Sequence, residues 1–156
     1  MRIHLLAIGH RMPAWVNEGY RTYAQRLPAE CRLELREIAA PRRGRSVPVE
    51  RLREQEGEAL LAAVPRDAWV VALDENGRGL DTATLSGKLD DWMQSGRDVC
   101  LLVGGPDGLA PACRARADFT WSLSPLTFPH PMVRVILAEQ LYRAWSLLRG
   151  HPYHRE

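Results

Sequence analysis

Val99-Cys100-Leu101-Leu102-Val103 is an unbroken apolar run that stops at Gly104-Gly105. A polar residue on either side of the pleat would interrupt such a run, so it predicts a strand covered on both faces. A strand of that kind needs neighbours on both edges and a layer above and below. That requirement points to a mostly parallel sheet flanked by helices. The glycines let backbone approach something bulky, and Pro106 with Gly108 forces a turn. In open α/β sheets, ligands sit beyond the carboxyl ends of central strands. A plain strand and tight turn is the alternative reading of this stretch alone.

The remaining chain supplies the neighbours. Arg2–Gly9 predicts a first strand and Pro13–Arg26 a helix with Trp15, Val16, Tyr20 and Tyr23 on one face. Leu27-Pro28 ends that helix, and Cys31–Ile38 reads as a half-buried strand. Ala39–Val47 is an arginine-bearing loop broken by Pro41 and Gly44. Pro48 opens a helix to about Val64. Ala68–Leu73 is a third, central strand, and Asp74–Gly79 reads as a polar, flexible loop. Thr82–Gln94 predicts a helix, Asp98–Val103 the central run, Pro111–Ala117 a short helix and Phe119–Leu123 a fifth strand. Alternation of this kind favours a parallel sheet covered by helices in a single domain, residues 1–156.

Ser122–Pro131 then carries three prolines and leads into a long helix, with Pro131 suited to its first turn. Met132, Val133, Ile136, Leu137, Leu141, Ala144, Trp145 and Leu148 share one face. Val135, Ala138, Tyr142 and Leu147 form a second apolar flank, leaving a polar stripe of Glu139, Arg143 and Ser146. Such a helix is expected to be buried on two sides, one of them against a partner subunit in a homodimer. Trp15, Trp92 and Trp145 read as core. Gly150 ends the helix, and a polar tail, His151–Glu156, follows.

Composition excludes several classes. The 156 residues are 46% apolar and 26% charged, ordinary for a globular chain. No window approaches the roughly 18 apolar residues of a membrane span. The start lacks a signal-peptide pattern, and three cysteines without CxxC spacing favour a reducing, cytoplasmic setting. No phosphate-cradling GxxxxGK[ST], GxGxxG or GxSxG motif occurs, and no His/Cys/Asp cluster has metal-ligand spacing, so no metal is expected. Lys88 is the one lysine among 21 basic residues. Arg42, Arg43, Arg45, Arg51 and Arg53 face a single acid, Glu50, within Ala39–Arg53, which favours an anionic partner. Three loops, after Leu73, Val103 and Leu123, follow predicted strand ends and are expected to form one pocket for an adenine-bearing ligand.

Four segments carry a more specific signal: Val103-Gly104-Gly105-Pro106-Asp107-Gly108-Leu109, Leu126-Thr127-Phe128-Pro129-His130, Leu141-Tyr142-Arg143-Ala144 and His151-Pro152-Tyr153-His154-Arg155-Glu156. In this order, from Met1 to Glu156, the chain resembles the large-subunit ribosomal RNA pseudouridine N3-methyltransferase family, a branch of the SPOUT methyltransferases. The resemblance implies a C-terminal trefoil knot and a homodimer through the C-terminal helix. It implies S-adenosylmethionine as donor, contacted by Leu73, Gly104 and the loop Leu123-Ser124-Pro125-Leu126-Thr127-Phe128. The implied partner is ribosomal RNA in the assembled ribosome. The tail then offers His154 as base, Tyr153 as orienter or stacking face, and Arg155 as an anion contact. An α/β protein binding another adenine nucleotide, or a ribosome-associated RNA-binding module, are the rival readings. Arg143, four residues after Glu139, reads as a helix-surface ion pair.

Overall fold

The computed structural model describes residues 1–155; Glu156, the last residue of the tail motif, lies outside them. Its strands are β1 (Arg2–Ile8), β2 (Arg32–Ile38), β3 (Trp69–Gly79), β4 (Val99–Val103) and β5 (Phe119–Ser122). Its helices are α1 (Ala14–Ala24), α2 (Val49–Ala62), α3 (Thr82–Ser95), α4 (Pro111–Arg116) and α5 (His130–Arg149). Short 3-10 turns occupy Ala29–Cys31 and Pro152–Arg155.

β4 is buried at all five positions, and it sits centrally in a sheet ordered β2-β1-β4-β3-β5. All pairings are parallel, with Ile3 opposite Val99 and Trp69 opposite Val99 on the other edge. The two-residue period of the strands explains their double-sided apolarity. Ile3, Leu5, Ala7, Val71, Val99, Leu101 and Val103 face a core shared with α3 and α5. Leu6, Ile8, Val70, Ala72, Cys100 and Leu102 face the opposite core, closed by α2 and α4.

Helix ends follow local chemistry. Asp81 caps α3 by accepting the Thr84 amide at 2.7 Å, and Gly96 ends it in the left-handed conformation at φ +72°. Gly150 does the same for α5 at φ +66°, and the His151 amide returns to the Ser146 carbonyl at 2.9 Å. That six-residue closure folds the tail back along α5.

Several expectations need correction. Asp74–Gly79 is not a free loop: β3 runs through Gly79, and both Leu73 and Arg78 register with Trp121. Asp74–Gly77 are therefore looped out within a continuing strand. Gly77 is required there, because a Cβ would come 2.8 Å from the Thr120 carbonyl group. Trp15 is 57% exposed rather than core. Ser146 is fully buried, not part of the polar stripe, and donates to the Arg143 carbonyl. The buried polar residue of α5 that patterning missed is Arg134. Finally, α5 packs against both α1 and α3. Val135 lies against Gly19, and Ser86 donates to the Ala144 carbonyl, so much of the two-sided burial is met within the chain.

At the amino edge of the sheet, Asp98 accepts the Arg2 amide and His4 Nε2, each at 2.9 Å. Burial pushes this carboxyl up, but the hydrogen bonds from His4 and Arg2 outweigh it and leave it below its ordinary 3.8. A depressed carboxylate contributes stability that is present above the unfolded value and lost as pH falls through the folded one. Replacing Asp98 by Asn is therefore expected to flatten the fall in stability below about pH 4. Urea unfolding across the acid range measures it; an unaltered acid limb would refute the assignment.

Candidate active site

A cleft of about 980 Å³ opens at the carboxyl ends of β4 and β5 and at the looped-out part of β3. Its walls are Leu73–Asn76 at the looped-out part of β3, Val103–Leu109 at and beyond the end of β4, and Leu123–Val133 beyond β5 except Pro125 and Met132. The three loops expected to converge do so. Leu73, Gly104, Leu123, Ser124, Leu126, Thr127 and Phe128 all line the cleft, while Pro125 is not among its walls.

The loops are tied to one another. Thr127 Oγ1 donates to Glu75 Oε2 at 3.0 Å, joining the β5 loop to the β3 bulge. Arg114 on α4 donates to Asp74 Oδ2 at 3.1 Å and to the Leu109 carbonyl at 3.0 Å. Within the β5 loop, the Leu126 amide donates to Ser124 Oγ at 3.0 Å, and Ser122 Oγ donates to the Ser124 carbonyl. Each bond spends a polar group on shaping the wall, leaving backbone amides and apolar side chains to face a ligand.

The glycine loop has no space to spare. A Cβ on Gly104 would lie 2.6 Å from Gly108 backbone atoms, and Gly108 itself has φ +81°. A Cβ on Gly105 would lie 2.9 Å from Glu56 Oε2. Glu56 is 3% exposed beneath this loop, and burial pushes its carboxyl above the ordinary range despite Arg43 nearby. The loop is thus pressed between α2 and the cleft.

Outside the three expected loops, sequence reasoning missed Arg53, Arg114, Trp121 and Val133, and within the third loop it gave His130 no site role. Trp121 is 2% exposed, and its indole N–H has no partner among the described residues. His130 opens α5; burial, with Arg134 and Arg43 adding positive potential, holds its imidazole below the ordinary value and so neutral. Position was the signal for two of them: Trp121 is the penultimate residue of β5, and His130 lies within the proline-rich stretch.

None of the described tail residues, 151–155, lines the cleft of its own chain. Tyr153 packs on Tyr142 with ring centroids 4.7 Å apart and donates its hydroxyl to Glu139 at 3.0 Å. Burial first, then Glu139, raises its phenol, so Tyr153 stays protonated. Glu139 also receives Arg143 at 2.6 Å, the expected ion pair, and the Arg143 guanidinium lies over the Tyr153 ring. His154 Nδ1 faces the His151 carbonyl, so in the neutral ring Nδ1 is the donor and Nε2 the acceptor nitrogen. Arg155 is exposed.

Fold and cleft together define a parallel α/β protein built to hold a small ligand against glycine-rich and proline-rich loops. The family model described as predicted SPOUT methyltransferase matches residues 1–154. The chain is 69% identical over its full length to the whole of ribosomal RNA large subunit methyltransferase H of Thioalkalivibrio sulfidiphilus. It is 57% identical, over 99% of its length and all of the relative, to the protein of the same name in Methylococcus capsulatus. Among solved structures, a probable methylase family protein from Haemophilus influenzae Rd KW20 superposes with a TM-score of 0.55. That match covers 97% of this chain and 69% of the other at 13% identity, a likeness of fold. The chain belongs to the SPOUT methyltransferase family.

Proposed function

We propose that this protein transfers the methyl group of S-adenosylmethionine to N3 of a pseudouridine in large-subunit ribosomal RNA, acting on the assembled ribosome. The observation that carries the reading is the end-to-end 69% identity to a protein named ribosomal RNA large subunit methyltransferase H. The cleft supports the cofactor. Leu73, Leu126 and Phe128 offer apolar walls for an adenine, backbone groups at Gly104 and Leu123–Thr127 offer its edge donors and acceptors, and the buried Trp121 N–H offers one more donor.

When bound, S-adenosylmethionine supplies an electrophilic methyl group on a sulfonium. The work of the chain's residues is to orient the pseudouridine and take its N3 proton. His154 Nε2 is the proton acceptor in this proposal, Tyr153 the orienter, and Arg155 a contact to RNA phosphate or to the developing imide anion. Because the described residues of the tail lie outside their own chain's cleft, the tail in this proposal serves the cleft of a second copy, in a twofold dimer formed through α5. Exposed Trp15, Met132 and Leu147 offer apolar surface for that contact. Membership of the SPOUT family supports a trefoil knot in the C-terminal half.

Calorimetric titration with S-adenosylmethionine, then methyl transfer to ribosomes lacking the modification, tests the reading. Tight binding of ATP or NAD in its place would favour a different adenine ligand. Cofactor-independent ribosome binding without transfer would leave an RNA-binding module. Replacing Gly104 by Ala should force the turn against Gly108 and weaken S-adenosylmethionine binding at least about tenfold. An unchanged affinity would remove Gly104 from the cofactor site.

A further inference from the structure

The carboxyl edge of the sheet is divided between two kinds of surface. The cleft lies over β4, β3 and β5, while β1 and β2 open onto a basic rim. β1 runs out into His10-Arg11, and β2 into the loop bearing Arg42, Arg43 and Arg45, with Arg51 in the first turn of α2. Arg11, Arg42, Arg45 and Arg51 are exposed and form no ion pair among the described residues. Two acids at the carboxyl edge are engaged elsewhere, while Glu50 and Glu54 on α2 stay exposed without an ion pair among the described residues and offset only part of the rim's charge. Glu37 holds Arg134 at 2.7 Å, and Asp107 holds Arg43 at 2.7 Å.

Two contacts bind this rim to the cleft itself. The Arg43–Asp107 pair pins the arginine loop to the glycine loop, and Arg53 reaches from α2 into the cleft wall. The rim is therefore a continuation of the cleft mouth and not a separate patch. Arginine suits the role, since its planar guanidinium reads phosphate oxygens in pairs.

We infer that this rim is a docking strip for RNA phosphodiesters, with Arg42, Arg45 and Arg51 as phosphate contacts and Arg43 as the residue that holds the strip at the cleft. The inference rests on the proposed RNA methyltransferase reading and adds where the substrate's backbone runs. Phosphate contacts of this kind set register and orientation without reading sequence.

The test is the affinity of the full-length protein for ribosomes, measured by co-sedimentation over a range of salt concentrations. The variant carries Arg42→Gln, Arg45→Gln and Arg51→Gln together. Its control carries Arg32→Gln, Arg66→Gln and Arg116→Gln, an equal charge change near the amino ends of β2, β3 and β5. The rim variant should bind at least about tenfold more weakly near 0.1 M salt, with a salt slope shallower by about 2. The control should match the parent, and both should keep the parent's affinity for S-adenosylmethionine. Equal losses in the two variants, or none in the rim variant, would overturn the strip. So would equal, arginine-dependent retention on phosphatidylserine vesicles, which marks a generic anion surface. Rim-dependent binding without any methyl transfer would instead sink the enzymatic reading and leave the strip standing.

Discussion

Deleting residues 151–156 is expected to lower methyl transfer at least about 10³-fold, the scale of a lost acid–base group and its positioning. Cofactor affinity should stay near that of the parent, because no described tail residue lines the cleft of its own chain. Stability should fall by only about 2 kcal/mol, from the Tyr153–Tyr142 stack and the Tyr153–Glu139 hydrogen bond. The sharper form of the experiment mixes subunits. With cofactor held well below saturation, a tail-less chain with an intact cleft and a Gly104→Ala chain with an intact tail are each expected to keep about a tenth of the parent activity or less. Mixed twofold dimers should regain about a quarter of the parent activity, since half the dimers are mixed and each has one competent site. No recovery on mixing would mean that the tail serves the cleft of its own chain.

The second large effect concerns Arg134. Its guanidinium is 1% exposed, donates to Glu37 Oε2 at 2.7 Å and to the Gly9 carbonyl at 2.9 Å, and so ties the start of α5 to the ends of β1 and β2. Replacing Glu37 by Ala leaves that cation buried without its counter-ion. Breaking such pairs costs about 3–5 kcal/mol, and the low end applies here because Glu37 is itself about a third exposed. For a chain of this size that corresponds to a loss of roughly 6–12 °C in Tm. Adding Arg134→Met should recover part of the loss, since the stranded charge is then gone. A double variant as unstable as the sum of the two singles would show that the pair is not coupled.

Strand and helix order was legible because a doubly covered parallel sheet writes its burial into unbroken apolar runs such as Val70–Leu73 and Leu101–Val103. The cleft was legible for the same reason, since ligand loops follow the ends of those runs. The continuation of β3 was not, because Asp74–Gly79 is polar and glycine-bearing, and the ladder that holds Arg78 and Gly79 to β5 is made by backbone. Arg134 escaped notice because an arginine within an apolar helix looks like a snorkelling surface residue until its carbonyl and carboxylate partners are seen. Trp15 misled in the opposite sense, having the right spacing for the core but lying on the outer side of α1. The structure of the tail depends on where Gly150 sends it, and no periodicity records that.

The strand order also bears on how the chain acquires its fold during synthesis. β1 meets β2 early, Ile3 pairing with Leu33, but its other edge waits for Val99. Until β4 emerges, a nascent chain holds an unpaired apolar strand edge through the making of α2, β3 and α3. Parallel pairing over such separations is slow, and open edges invite association with other chains. Refolding from denaturant should therefore be slow and its yield should fall steeply with protein concentration, whereas synthesis on the ribosome keeps each unfinished sheet apart from its neighbours.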